Sequence, residues 1–352
     1  MASKVIEFML EKHIFYLIAG FFFSIFSIGR FNIVISVFIW PFCFLSYLHK
    51  NESKILSSVI FAVCLWLSHL LRWFNVINGG FVINLIWISY ISFVNMIPFI
   101  IDNIFYGKVD KWRSVFIYPL AEAFIEFISC FFPIANNNLL CYALRDNIQF
   151  IQIISVFGCY FISFIVALFS TTLEYSIDLY KNENKISKFI FSYATIIVVI
   201  YFFGLIRLLI PLDEETINVA ASIGVSQPLY EIDETDSYRE QDVYLEYINR
   251  TMKRAHDSEA QIMTYAEEAF AILIDEREGM LGNVSELAKL YSIYVLLGLD
   301  VCHNETYCTN EAVLISDEGE VLYEYQKQHL IPISESIYYE NIEETYTIKT
   351  RY

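Results

Sequence analysis

Seven long apolar runs fill the first 210 residues and constrain the chain more than any other feature. They cover residues 13–29, 32–48, 55–71, 81–101, 115–135, 149–172 and 189–210, each bounded by charged or turn residues. About 17 to 25 apolar residues are needed to cross a bilayer as a helix, so the pattern predicts a seven-segment transmembrane domain over 13–210. Seven consecutive runs leave too little polar surface for a water-soluble core. No small-x-small cleavage site follows the first run, and the second starts almost at once, so the first reads as a span and not as a removed leader.

Charge then divides the chain. Residues 1–210 hold 14 Lys+Arg and 11 Asp+Glu, whereas residues 211–352 hold 9 and 29. The second part is therefore a water-facing acidic domain, and its charge repels nucleic-acid backbones and anionic lipid surfaces. Alternate connections between the runs differ in basic residues. The tail (residues 1–12) and the connections carrying Lys50 and Lys54, then Lys108, Lys111 and Arg113, then Lys181, Lys185 and Lys188 hold ten, against four at Arg30, Arg72, Arg145 and Arg207. The positive-inside rule places the N-terminus in the cytoplasm and the domain from residue 211 outside, across a plasma membrane in a bacterial host.

Ionisable groups within a span need a partner or a task. Glu122 and Glu126 share one helix face in the fifth run. They suit either a site for a polar or amine headgroup near the outer leaflet, or hydrogen bonds to a neighbouring helix. In the sixth run Gly158 and Ser163 are small enough to admit a close helix. Cys43, Cys64, Cys130 and Cys159 read as packing residues. Cys302 and Cys308, separated by the five residues His303 to Tyr307, read as a loop-closing disulfide or as two free thiols. They do not read as a metal centre, since they and one His supply only three ligands.

Short β-rich runs alternate with helical ones beyond Ile217, the pattern of an α/β domain. Strands are predicted at Asn218–Ile223, Gln261–Tyr265, Ile293–Leu299, Ala312–Ser316 and Val321–Tyr325, with helices at Ser237–His256 and Val284–Tyr291. The last two strands flank the turn Asp317-Glu318-Gly319-Glu320. Two charged residues follow strand ends. Glu267 is placed to project into a poorly hydrated cleft with a raised pKa, as a general base requires. Lys327 is placed to hold a developing oxyanion.

The order and wording of these segments resemble apolipoprotein N-acyltransferase, whose outer domain is of the nitrilase (carbon-nitrogen hydrolase) superfamily. Tyr265-Ala266-Glu267 stands where that superfamily has a Trp-Pro-Glu-like strand end. Tyr325, Lys327, His329, Leu330, Pro332 and Glu335 meet its Tyr-x-Lys-x-His-Leu-x-Pro-x-x-Glu pattern, and the run from Asn310 to Gly319 resembles the hairpin before it. In the membrane half, Trp112–Glu126 and Ile151–Phe164 resemble the family's fifth and sixth spans. The resemblance implies a multi-pass helical membrane domain joined to a nitrilase-like αββα sandwich. It implies that an acyl chain passes from a phospholipid, through a cysteine thioester, to the N-terminal amine of a lipoprotein, with no cofactor or metal. Glu267 would be the general base, Lys327 the stabiliser of the tetrahedral intermediate and Glu335 the supporting second glutamate. The family's nucleophilic cysteine lies several tens of residues beyond the lysine. This chain ends 25 residues beyond Lys327 with no cysteine after Cys308, which implies an incomplete, C-terminally truncated domain that does not by itself complete the transfer. Two alternatives follow from the same residues: a non-catalytic, lipid-binding membrane protein with an acidic outer platform for partners, and a hydrolase of soluble amides, against which the long bundle speaks.

Overall fold

The computed structural model describes residues 13–74, 76, 80–132, 138–210, 217–222, 237–304, 307–328 and 330. The chain divides into two compact units, Met1–Pro211 and Leu212–Tyr352.

The first unit is helical. Its helices are α1 (Ile14–Ile25), α2 (Val34–Lys50), α3 (Lys54–Trp73), α4 (Gly80–Phe105), α5 (Lys111–Ser114), α6 (Ile117–Ser129), α7 (Ile148–Ile151), α8 (Ile154–Phe157), α9 (Cys159–Glu183) and α10 (Lys188–Leu209), with a 3-10 turn at Leu140–Leu144. Four of them, α3, α4, α9 and α10, are long and apolar enough to cross a membrane. The first, second and fifth apolar runs form helices of 12, 17 and 13 residues. The sixth run does not form one helix from residue 149. It breaks at Gly158, whose φ of +75° is open to glycine and strained for other residues, and the long helix begins at Cys159 and runs on to Glu183. Gly158 therefore serves as a turn and not as a packing notch, for nothing lies within 4 Å of where its Cβ would stand.

Apolar faces of α2, α3, α4 and α9 make the core of this unit around Trp40, Phe44, Phe61, Phe99 and Ile165. Buried polar groups within it are tied down. Ser163, fully buried, accepts from the Cys141 amide. Glu122 and Glu126 are both buried, and Glu126 accepts from the Leu140 amide at 2.7 Å, closing the 3-10 turn onto α6. Of the two roles open to this pair, the structure gives Glu126 the hydrogen bond inside the bundle. Arg72 also departs from the sequence reading, which puts it in a water-facing connection. Helix α3 extends two residues past its apolar run and draws Arg72 into the core, 1% exposed. There it donates to Ser24 O at 3.0 Å, Ser27 Oγ at 2.7 Å and Asn138 Oδ1 at 3.0 Å, joining α1, α3 and the segment after α6.

The second unit is a six-stranded mixed sheet with helices α11 (Ser237–Asp257) and α12 (Ile274–Tyr291). Its strands are β1 (Val219–Ser222), β2 (Ile262–Tyr265), β3 (Phe270–Leu273), β4 (Tyr294–Asn304), β5 (Tyr307–Ile315) and β6 (Val321–Gln326). Their order is β1-β2-β4-β5-β6; β1, β2 and β4 are parallel, while β5 and β6 run antiparallel. β3 is parallel to β4 on the side that β2 uses, further along it. Val295, Leu297, Leu299 and Val301 alternate onto one face of β4 and are fully buried with Ile248 and Met252 of α11 and Met280 and Val284 of α12. Each such side chain contributes roughly 1.5–3 kcal/mol. Helix α12 begins ten residues before the predicted Val284, because Gly279 and Gly282 weaken the local helical signal. Burial of Met280 and Leu281 against the sheet overrides that weakness.

Replacing Arg72 by Met keeps the length of the side chain and removes the guanidinium hydrogen bonds to Ser24 O, Ser27 Oγ and Asn138 Oδ1. The variant is expected to lose about 3 kcal/mol, read as a lower melting temperature of the detergent-solubilised protein, while Ser27→Ala, which removes one contact, loses a smaller part.

Candidate active site

The site begins with an interruption. β2 pairs with Tyr294–Leu296 of β4 and β3 with Leu299–Cys302, so Leu297 and Gly298 face the gap between them. Residues 266–269 leave the sheet there in a turn closed by Ala269 N donating to Ala266 O at 3.2 Å, with Glu268 at a φ of +53°. The crossing chain passes hard against β4. A Cβ on Gly298 would stand 2.0 Å from the Ala266 carbonyl oxygen and 3.0 Å from the Glu267 Cα. Only a residue without a side chain permits the crossing that lifts Glu267 off the sheet.

Asn310 receives it. This residue lies on β5, opposite Asp300 of β4, and is 5% exposed. Its Nδ2 donates to Glu267 Oε1 at 2.9 Å and to Glu268 Oε1 at 3.0 Å. Its carbonyl accepts the Lys327 amide at 2.8 Å, prolonging the β5–β6 ladder by one residue beyond Gln326. Lys327 is thereby fixed beside the same carboxylate, and its Nζ donates to Glu267 Oε1 at 2.7 Å. The structure thus brings Glu267 and Lys327 together; Glu335 and Ile223 lie outside the described residues.

The electrostatics differ from the expected raised pKa. Partial burial works to raise the Glu267 carboxyl, but the Lys327 hydrogen bond and charge, with the Asn310 amide, outweigh it and hold the pKa below the ordinary glutamate value. The carboxylate is not enclosed: 60% of its side chain is exposed, against 20% for Lys327. Glu267 is an ionised, lysine-paired carboxylate on an open surface.

Two nearby features complete the description. Cys302 and Cys308 are cross-strand partners on β4 and β5 and form a disulfide, which takes both sulfurs out of nucleophilic chemistry. Arg277 of α12 donates to Glu311 at 2.8 and 2.9 Å and also bonds Glu324, binding the helix to β5 and β6. Burial opposes its charge, yet these carboxylates outweigh that effect and hold its pKa above the usual value. Sequence reasoning assigned no site role to Gly298 or Asn310. A glycine inside the apolar strand Tyr294–Leu299 is the one available signal for the first, since it marks a close backbone approach.

No family model matches this chain, and no curated protein matches it. Among solved structures it is similar to the NitN amidase from Nesterenkonia sp. AN1, with 19% identity and a TM-score of 0.28 over 37% of this chain and 51% of the amidase. A mutant of that amidase, described as of the nitrilase superfamily, gives 19% identity and a TM-score of 0.29 over 38% and 52%. A carbon-nitrogen hydrolase from Helicobacter pylori G27 gives 13% identity and a TM-score of 0.29 over 36% and 45%. The structural neighbours are thus nitrilase-superfamily amidases and hydrolases, and this chain spans about half their length.

Two outcomes follow from this geometry. The Glu267 pKa is depressed on folding, so the pair stabilises the fold above the unfolded value of about 4.3 and that contribution is lost as the pH falls through the lower folded value. Denaturation midpoints of the wild type and Glu267→Gln should therefore differ at neutral pH and converge once the pH has fallen below the folded value. Gly298→Ala must push the Ala266 carbonyl aside, at a cost of about 1–3 kcal/mol for overpacking, and should abolish the pH-dependent difference that Glu267 makes.

Proposed function

We propose that the second unit carries the acid-base half of a covalent acyl transfer, of the kind found in nitrilase-like N-acyltransferases. Glu267 would take the proton from an attacking thiol and later from an attacking amine. Lys327 would face the oxyanion of each tetrahedral intermediate. The observation that carries this reading is the Lys327 Nζ–Glu267 Oε1 contact of 2.7 Å, made between residues 60 positions apart and braced on both sides by Asn310. Support also comes from the motif around Lys327, which resembles that of apolipoprotein N-acyltransferase, and from four helices long and apolar enough to cross a membrane. On this reading a phospholipid donates the acyl group and the N-terminal amine of a lipoprotein accepts it.

The thiolate is the part that these 352 residues do not supply in the family's position, because no cysteine follows Cys308 and that sulfur is bonded to Cys302. A thiol brought to Glu267 from elsewhere completes the set. The step then balances: thiolate sulfur bonds the ester carbonyl carbon of the phospholipid, the lysophospholipid alkoxide leaves with the proton held on Glu267, and a thioester remains for the amine.

The test is an acyl trap. Membranes holding the natural gene product are incubated with a phospholipid bearing an alkyne-tagged acyl chain, and thioester is read as label released by neutral hydroxylamine. Labelling is expected on the natural product, with a fall of at least about 100-fold in Glu267→Gln and in Lys327→Met. If the natural product takes no label while its fold is intact, acyl transfer is excluded and a non-catalytic, lipid-binding role with an acidic partner-binding domain stands in its place.

A further inference from the structure

A second polar centre is built entirely within the helical unit and rests on none of the acyl-transfer reading. His49, in the last turn of α2, sits between two carboxylates. Its Nε2 is 2.6 Å from Asp102 Oδ2 on α4, and its Nδ1 is 2.9 Å from Glu174 Oε2 on α9. The side chains are only 3%, 2% and 8% exposed, and the imidazole stacks on Tyr106 with ring centres 3.5 Å apart. Carboxylates accept and do not donate, so two of them across one ring suit an imidazolium with both protons in place.

These groups line a cavity of about 290 Å³. Its wall also includes Tyr175, Asp178 and Lys111. Two carboxylates on α9 have acceptor capacity to spare. Glu174 Oε1 is buried with no hydrogen-bond partner, and Asp178, one helical turn further on, makes no hydrogen bond or ion pair among the described residues. An orphaned, buried carboxylate oxygen is destabilising, and a bound N–H donor would relieve it. A bare metal ion fits poorly, because the imidazole holds the oxygens of Asp102 and Glu174 apart. The volume exceeds that of several waters at about 30 Å³ each, and two tyrosines border it, conditions that suit an organic ammonium group.

Tyr106 is also part of the wall of a neighbouring apolar groove of about 610 Å³ formed by α3 and α4. Val59, Ala62, Met96 and Ile100 line its length, with Lys54, where α3 starts, and Lys108, just past α4, among its residues. The Lys54 ammonium is 5.5 Å from the centre of the Tyr106 ring. Apolar groove, two lysines and an acidic cavity therefore adjoin through one tyrosine, in the order of acyl chain, phosphate and amine in an aminophospholipid.

We propose that this end of the helical unit binds a phospholipid with a primary-amine headgroup: the amine on Glu174 and Asp178, the phosphate between Lys54 and Lys108, and an acyl chain along α3 and α4. A primary amine carries the N–H groups that the open oxygens of Glu174 and Asp178 accept. A choline headgroup has none, and a glycerol headgroup lacks the charge.

The experiment titrates the purified full chain, in detergent, with dioleoyl phosphatidylethanolamine, phosphatidylcholine and phosphatidylglycerol, reading lipid adducts by native mass spectrometry. Phosphatidylethanolamine is expected to bind at least about tenfold more tightly than the other two, the worth of one charged hydrogen bond. Asp178→Asn, whose carboxylate makes no hydrogen bond among the described residues though the Lys50 and Lys181 charges act on it, should keep the fold and erase most of that preference, and Glu174→Gln should erase it too. Val59→Trp, which fills the groove, should weaken all three lipids alike. Equal binding of the three lipids by the wild type overturns the proposal, as does a preference that survives both carboxylate variants. Soluble glycerophosphoethanolamine competing as strongly as the lipid would overturn it as a lipid site.

Discussion

At Gly298 the backbone of one segment crosses the backbone of another with no side chain between them, and the geometry of the candidate site follows from that crossing. A continuous β2 would have kept Glu267 in the plane of the sheet, pointing to one face or the other. Because β2 and β3 share β4 as partner and are separated by four residues, the chain rises instead, and Glu267 and Glu268 project toward β5. There Asn310 does two things at once: its amide holds both carboxylates, and its carbonyl holds the Lys327 backbone. The ion pair is thus specified by backbone geometry and a single buried amide, not by the attraction of two mobile side chains.

Periodicity made some of this legible. The apolar runs anticipated where helices form, and the strand at Gln261–Tyr265, the helix from Ser237 and the hairpin around Asp317 to Glu320 lie where their residue patterns put them. The failures have physical causes. β3 was missed because four residues, Phe270 to Leu273, carry no alternation, and only the register of β4 recruits them. The break at Gly158 was read as a packing notch because a small residue in an apolar run has either meaning until φ is known. The Glu267 pKa went the wrong way because sequence shows that a carboxylate follows an apolar strand, but not that a lysine 60 residues later reaches it. Asn310 belongs to a recognisable hairpin pattern, yet its place in the site depends on cross-strand register, which no local pattern encodes.

The helical unit repeats one device: a buried polar side chain from one helix holding an element distant in sequence. Arg72 reaches α1 and Asn138, Glu126 closes the turn at Leu140, and His49 joins α4 to α9. Where lipid replaces water, the hydrophobic effect gives little force between helices, and such bonds fix their arrangement. Each also explains why a charged residue interrupts or borders an apolar run. Charges that break a hydropathy pattern here mark contacts between helices.

Exposure decides what the Glu267–Lys327 pair can do. An ion pair with a carboxylate 60% exposed is worth at most about 1 kcal/mol, and water around it screens any developing oxyanion nearly as well as Lys327 would. The same two groups in a dry site interact several times more strongly, which is the condition under which a lysine can stabilise a tetrahedral intermediate. The sheet face that carries Asn310 also presents Leu296, 36% exposed, while α11 and α12 cover the other face. On the proposed reading, acyl transfer at this pair requires a layer over the Asn310 face. The lowered pKa points the same way. A carboxylate held ionised by its lysine is a weak base, and the thiol proton must leave before any oxyanion forms, so the desolvation that a covering layer brings is what works to raise the basicity of Glu267.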